Sequence, residues 1–132
     1  MPSAPPDDVA RTVLVIDDEP VVLHVVRRSL SRVGWRVLEA ETAEEALGLL
    51  SGSATPDLVI CDLNLPGQSG ADLCLRIVER YPALASRLIL MSGDAAAAAR
   101  ELERAALDCP ILGKPFSLAD LARVVESVAP RA

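Results

Sequence analysis

Asp17, Asp18, Asp62, Ser92 and Lys114 each stand at the end of a short apolar run, and together they could handle phosphate and a divalent metal. The runs are Val13 to Ile16 before Asp17-Asp18-Glu19, Leu58 to Cys61 before Asp62, Leu88 to Met91 before Ser92, and Cys109 to Gly113 before Lys114. Adjacent carboxylates brought near a third repel one another in a partly desolvated pocket, so a cation must compensate. All-oxygen ligands in a small site open to water suit Mg2+, and with no paired Cys and no His nearby zinc is disfavoured. A carboxylate in such a site can attack phosphorus and form an acyl phosphate once cations neutralise the charge developing on the phosphoryl oxygens. Lys114, the only lysine in the chain, offers a second positive group, and Ser92 offers a hydrogen-bond donor.

These side chains meet only if the runs are strands of one sheet whose carboxyl ends share an edge, the edge where open α/β sheets bind ligands. From Arg11 onward strand and helix patterns alternate five times, the signature of a mostly parallel sheet covered on both faces. Strands are expected near 12–16, 35–39, 57–61, 87–91 and 109–112, and helices near 19–33, 43–51, 70–80, 95–106 and 118–129. Val22, Val25, Val26, Leu30 and Val33 mark the inner face of the first helix, and Gly34 suits a left-handed stop. Thr42 with Glu45, and Ser117 with Asp120, have the spacing of capping boxes. Leu118, Leu121, Val124, Val125 and Val128 give the last helix one apolar stripe, facing the sheet or in part a partner. Ala95 to Ala99 favour a helix but bring little side chain to bury, so its packing should be shallow.

A chain of 132 residues holds one domain with a substantial core, here 11–132, while 1–10, with Pro2, Pro5 and Pro6, reads as a disordered leader or linker remnant. Aromatics are only 2% of a chain that is 51% hydrophobic, so Val, Leu, Ile and Ala must fill the interior. The formal net charge of −6 and the absence of a basic stripe argue against direct nucleic-acid binding. No apolar run approaches the roughly 20 residues that span a bilayer, which excludes membrane insertion by a helix and favours a cytoplasmic location. Cys61, Cys74 and Cys109 lack paired spacing and sit in apolar segments, so they read as buried free thiols.

The ordered set of strand-end residues resembles the receiver domain of two-component response regulators over residues 11–129. It matches in Asp17-Asp18, in Asp62-Leu63-Asn64-Leu65-Pro66-Gly67, in Ser92-Gly93 and in Lys114-Pro115-Phe116. The resemblance implies a flavodoxin-like (βα)5 doubly wound parallel sheet, strand order 2-1-3-4-5. It implies that Asp62 accepts phosphate from a phosphohistidine on a sensor histidine kinase or a histidine phosphotransfer protein. It further implies that Asp18, Asp62 and the Asn64 carbonyl hold Mg2+, with Asp17 acting through water. Ser92 and Lys114 would then bind the phosphoryl group, and the Lys114-Pro115 bond would be cis. The output is a population shift rather than turnover of a metabolite, read by a downstream protein on the face made by the fourth helix, fifth strand and fifth helix. Ile111 stands where many receivers carry a switching aromatic, and the wording around it looks more like receivers attached to hybrid histidine kinases or used as phosphate relays. A haloacid-dehalogenase-like phosphatase would need a second acid two residues after the nucleophile, where this chain has Asn64.

Each residue also has a plainer reading. The acidic triplet would suit the first turn of a helix, Asp62 a turn before Pro66-Gly67, and Ser92-Gly93-Asp94 a helix cap. His24 reads as an exposed or half-buried helical residue, Trp35 as packing, and Phe116 as the anchor of the loop after Pro115.

Overall fold

Runs of Val, Ile and Leu without polar alternation can be buried on both faces, and they form the central sheet. The computed structural model describes residues 11–52 and 55–130; the expected leader 1–10 and the last two residues of the expected domain lie outside the described residues. Five strands, β1 (Thr12–Ile16), β2 (Arg36–Ala40), β3 (Leu58–Asp62), β4 (Leu88–Ser92) and β5 (Ile111–Gly113), pair in parallel in the order β2-β1-β3-β4-β5. That is the expected flavodoxin-like order 2-1-3-4-5.

Helices α1 (Pro20–Ser31), α2 (Ala43–Gly52), α3 (Gly70–Arg80), α4 (Ala95–Ala105) and α5 (Leu118–Val128) cover the two faces. Alternation along each strand sorts the core. Leu14, Ile16, Val59, Cys61, Leu88 and Leu90 pack with α2, α3 and α4, whereas Val13, Val15, Leu58, Ile60, Ile89 and Met91 pack with α1 and α5. Truncating one such side chain, Ile60→Ala for example, removes about 2–5 kcal/mol of stability.

The expected element ends differ in instructive ways. β3 and β4 run one residue further than their apolar patterns, because Asp62 pairs with Met91 and Ser92 with Gly113 in the ladder. The polar site residues are therefore the last residues of strands, fixed by sheet hydrogen bonds. Helix α1 stops at Ser31, since a turn over 32–34 ends at Gly34 with φ +98°, and Trp35 N–H bonds back to Leu30 O. Val33 thus leaves the expected apolar stripe and is 53% exposed, while Leu23 joins the core in its place.

The capping signals hold with one shift. Ser117 and Asp120 form the reciprocal box, whereas Glu45 reaches past Thr42 to the Glu41 N–H. Trp35 is buried with the Arg11 guanidinium 4.2 Å above its ring, Phe116 packs partly against the α1 and α5 core, and His24 is exposed. In α4, Ala98 alone of the alanine run is buried, and Leu102 and Ala105 complete a shallow contact. Among the described residues no helix is long and apolar enough to cross a membrane.

Candidate functional site

The end of β1 carries the first part of the site. The Asp17 N–H continues the ladder to Ala40 O at 3.0 Å, which holds the residue in the sheet edge and buries its side chain completely. Asp17 Oδ1 accepts from Glu19 N–H at 2.9 Å, and Pro20 then opens α1, where a missing N–H costs nothing. The chain turns sharply there, so Asp18 and Glu19 face solvent while Asp17 faces inward.

Asp62 ends β3 and is 4% exposed. Carboxylate oxygens of Asp17, Asp18 and Asp62 lie within 4.8 Å of one another, the convergence expected from sequence. Lys114 follows β5, held by a hydrogen bond from its N–H to Ser92 O at 2.7 Å. Its ammonium reaches Asp17 Oδ2 at 2.8 Å, Glu19 Oε1 at 2.9 Å and Asp62 Oδ1 at 3.3 Å. The Lys114-Pro115 peptide is cis. Asp18, Glu19, Asp62, Asn64, Gly93 and Lys114 line an open cleft of about 350 Å3.

One ammonium facing this much negative charge sets the electrostatics. Burial, then the neighbouring Asp17 carboxylate, holds the Asp62 carboxyl above its ordinary range, and Lys114 and the Asn64 N–H offset only part of that rise. For Lys114 burial works downward, but the close Asp17 and Glu19 carboxylates and the charge on Asp62 outweigh it, so the lysine stays protonated. Asp17 Oδ2 is buried and accepts no hydrogen bond of good geometry despite the nearby ammonium. A buried carboxylate oxygen whose partner is the Lys114 ammonium alone, three convergent acids and an open cleft fit a hard divalent cation with oxygen ligands.

Of the other two expected site residues, Ser92 is turned away from this cluster and Asn64 lines the same cleft. Ser92 is buried, but its hydroxyl donates to Asp94 O and accepts from Asp94 N–H, both at 2.9 Å, so it is turned into the loop before α4 rather than toward Asp62. The helix cap itself is Asp94, whose Oδ1 accepts from Ala97 N–H. Asn64 is exposed at the cleft mouth, where its N–H bonds Asp62 and it begins a small antiparallel ribbon, Asn64–Leu65 with Gln68–Ser69.

Two further residues belong to the site and were not singled out from sequence. Glu19 joins the lysine, a role hidden by the plainer reading of an acid at a helix start. Gly70 packs so tightly on Asp62 that an added Cβ would overlap the Asp62 carbonyl. A glycine directly after the helix-capping Ser69 was the available signal.

The strand order, the acidic cleft and the lysine just after β5 together define a receiver-like α/β domain. The response regulator receiver domain model matches residues 13–126, and the chain belongs to that family. Among curated relatives, the DNA-binding transcriptional regulator NtrC of Salmonella typhimurium is 32% identical over 114 residues, 86% of this chain and 24% of that protein. The phosphate regulon transcriptional regulatory protein PhoB of Pseudomonas aeruginosa is 30% identical over 125 residues, 93% of this chain and 53% of that protein. The chain thus spans about a quarter of the NtrC relatives it matches. A putative response regulator from Chloroflexus aurantiacus superposes with a TM-score of 0.79 at 30% identity, covering 92% of this chain and 98% of that one. The chemotaxis protein CheY4 of Vibrio cholerae superposes with a TM-score of 0.81 at 21% identity, covering 91% and 99%, a likeness of fold.

Proposed function

We propose that Asp62 is the phosphoacceptor of this receiver domain and takes a phosphoryl group from a phosphohistidine on a sensor histidine kinase or histidine phosphotransfer protein. The observation that carries the reading is the placement of Asp62 beside two further carboxylates and the Lys114 ammonium, at the mouth of an open cleft.

Mg2+ would be held by Asp18, Asp62 and the Asn64 carbonyl, with Asp17 behind them through water. When bound it neutralises phosphoryl oxygens and screens the carboxylates from one another. The chain's own residues do the rest. Asp62 Oδ attacks phosphorus, the P–N bond to the donor imidazole breaks, and the electron pair leaves with that ring. Lys114 is already 3.3 Å from Asp62 Oδ1 and offers its charge to the transferred group. The Ser92 hydroxyl can leave Asp94 by rotation about χ1 and donate to the new phosphoryl oxygen, which would rearrange the loop that starts α4.

The domain acts as a switch rather than a metabolic catalyst, and a cytoplasmic setting suits its donors. The face made by α4, β5 and α5 would present the state to a downstream protein, with the exposed alanines of α4 and Leu118, 55% exposed, as its smooth part. Ile111, half-buried against the α4-side core, stands in place of the switching aromatic, which would leave the readout to α4 itself.

The test is incubation with acetyl phosphate or beryllofluoride, with and without Mg2+, followed by mass and amide spectra for wild type and Asp62→Asn. Mg2+-dependent modification that disappears in Asp62→Asn supports the reading. Sustained turnover of a small phosphomonoester, or no response at all, sinks it.

A further inference from the structure

Residues 63–70 run from Asp62 to the start of α3, and this short stretch must also hold the Asn64 backbone at the cleft. We propose that Glu101, on α4, is a positioning residue for this stretch. Through Ser69 it makes the placement of the loop beside Asp62 and the seating of α4 one equilibrium.

The Ser69 hydroxyl has two tasks. It accepts from Ala71 N–H at 3.1 Å, which caps α3, and it donates to Glu101 Oε1 at 2.9 Å, which reaches α4. The next residue leaves no slack, because Gly70 lies against the Asp62 carbonyl with no room for a Cβ, and its N–H bonds Leu63 O at 2.6 Å. A displacement of Ser69 is therefore passed directly to the backbone of Asp62 and Leu63.

Glu101 is itself held. Arg104 Nη2 lies 2.7 Å from Glu101 Oε1 and 2.8 Å from Asp72 Oδ1, so a residue of α3 orients the acid through the guanidinium. These charges are partly exposed, Arg104 at 51%, Asp72 at 45% and Glu101 at 32%, and solvent-screened pairs of this kind contribute little to global stability. What they supply is direction, since a guanidinium fork bonded to two acids fixes where the Glu101 carboxylate points. Helix α4 is open to such control, because its buried residues are only Ala98, Leu102 and Ala105. Coupling of this kind is reciprocal: whatever reorders the loop reseats α4, and whatever loosens α4 alters the loop.

The consequence for signalling rests on the receiver reading above, but the positioning does not, so the test begins without metal or phosphate. Amide hydrogen exchange is measured across residues 62–71 in the wild-type chain and in Glu101→Ala, Glu101→Gln and Arg104→Met. Glu101→Ala is expected to speed exchange at Gly70 and its neighbours by about threefold or more at an unchanged denaturation midpoint. Glu101→Gln keeps an acceptor for Ser69 and should return most of the protection, with Arg104→Met in between. Unchanged exchange in Glu101→Ala, or faster exchange spread evenly over the whole chain, overturns the proposal. Beryllofluoride with Mg2+ is then added: failure of the wild type to respond sinks the receiver reading alone. In a responding protein, Glu101→Ala should shrink the amide shifts on α4 while leaving those at Lys114.

Discussion

Lys114 Nζ lies 2.8 Å from Asp17 Oδ2, an oxygen that is buried and receives no well-aligned hydrogen bond. The contact joins two strand ends 97 residues apart in sequence, since Asp17 leaves β1 and Lys114 follows β5. The lysine is the only cation lining the cleft among the described residues. Removing it, as in Lys114→Met, leaves two buried carboxylates facing each other without compensation. The expected loss is about 3 kcal/mol in denaturant unfolding without metal. Millimolar Mg2+ should recover part of that loss in Lys114→Met and add less to the wild type. An unchanged unfolding midpoint in Lys114→Met would show that the ion pair is not what holds Asp17 in place.

Three glycines, two beside the site and one inside α2, make a graded test of the backbone. Gly70→Ala forces the Asp62 carbonyl to move and should lower stability by roughly 2–3 kcal/mol. Gly67 has φ +82° but open space around it, so Gly67→Ala should cost only about 1–2 kcal/mol. Gly48 lies inside α2 with nothing within 4 Å of an added Cβ, and Gly48→Ala should stabilise by about 0.5–1 kcal/mol. Urea titrations of the three variants check both the order and the change of sign.

The thiols should behave as packing groups. Cys61 and Cys74 are buried, and a hydrogen bond that the Cys61 thiol donates to Cys74, followed by burial, pushes the Cys61 thiol well up. Burial first, then the Cys74 and Asp108 charges, pushes half-buried Cys109 up to about 12. Raised thiol values mean that the folded state keeps these protons, so their contribution is intact below the ordinary thiol value of about 8.5 and is lost as pH climbs toward the folded values. Iodoacetamide at pH 8 should label Cys109 slowly and Cys61 and Cys74 only through unfolding. Fast labelling of Cys61 in native conditions contradicts this account.

Strand ends were legible in sequence because a doubly wound sheet turns distant apolar runs into one row, whereas the order 2-1-3-4-5 came from the family resemblance and not from the runs themselves. Asp17, Asp18, Asp62 and Lys114 therefore came together as expected. Glu19 and Gly70 did not stand out, because their roles depend on a turn angle and on a close approach of backbones that no residue type announces. Ser92 sits at its expected strand end, yet the direction of its hydroxyl is decided by competition between the cleft and the Asp94 backbone, and the local turn wins. Val33 was misplaced for a similar reason, since helical spacing continues past Ser31 while the chain has already begun the turn to Gly34.

The charge on Asp62 should work against the metal-free fold. Its folded-state value is raised, by burial first and by Asp17 second, so the folded protein holds that proton more tightly than the unfolded chain does. The favourable contribution is then present below the ordinary aspartate value of about 3.9 and is lost as pH rises through the folded value. At neutral pH the ionised group is a net cost, and Asp62→Asn, which keeps the shape and removes the charge, should raise the Tm. Each kcal/mol relieved corresponds to roughly 3–5 °C for a domain of this size. The gap between Asp62→Asn and wild type should be negligible near pH 3 and open as pH rises from about 4 toward 7. Mg2+ should reverse the order, because it binds the wild-type carboxylates and stabilises by mass action while the variant has lost a ligand. Thermal melts at several pH values, with Mg2+ and with chelator, give both halves of the comparison. If Asp62→Asn were less stable than wild type in chelator at pH 7, the carboxylate would have to be satisfied in a way that the ion pair with Lys114 alone does not provide.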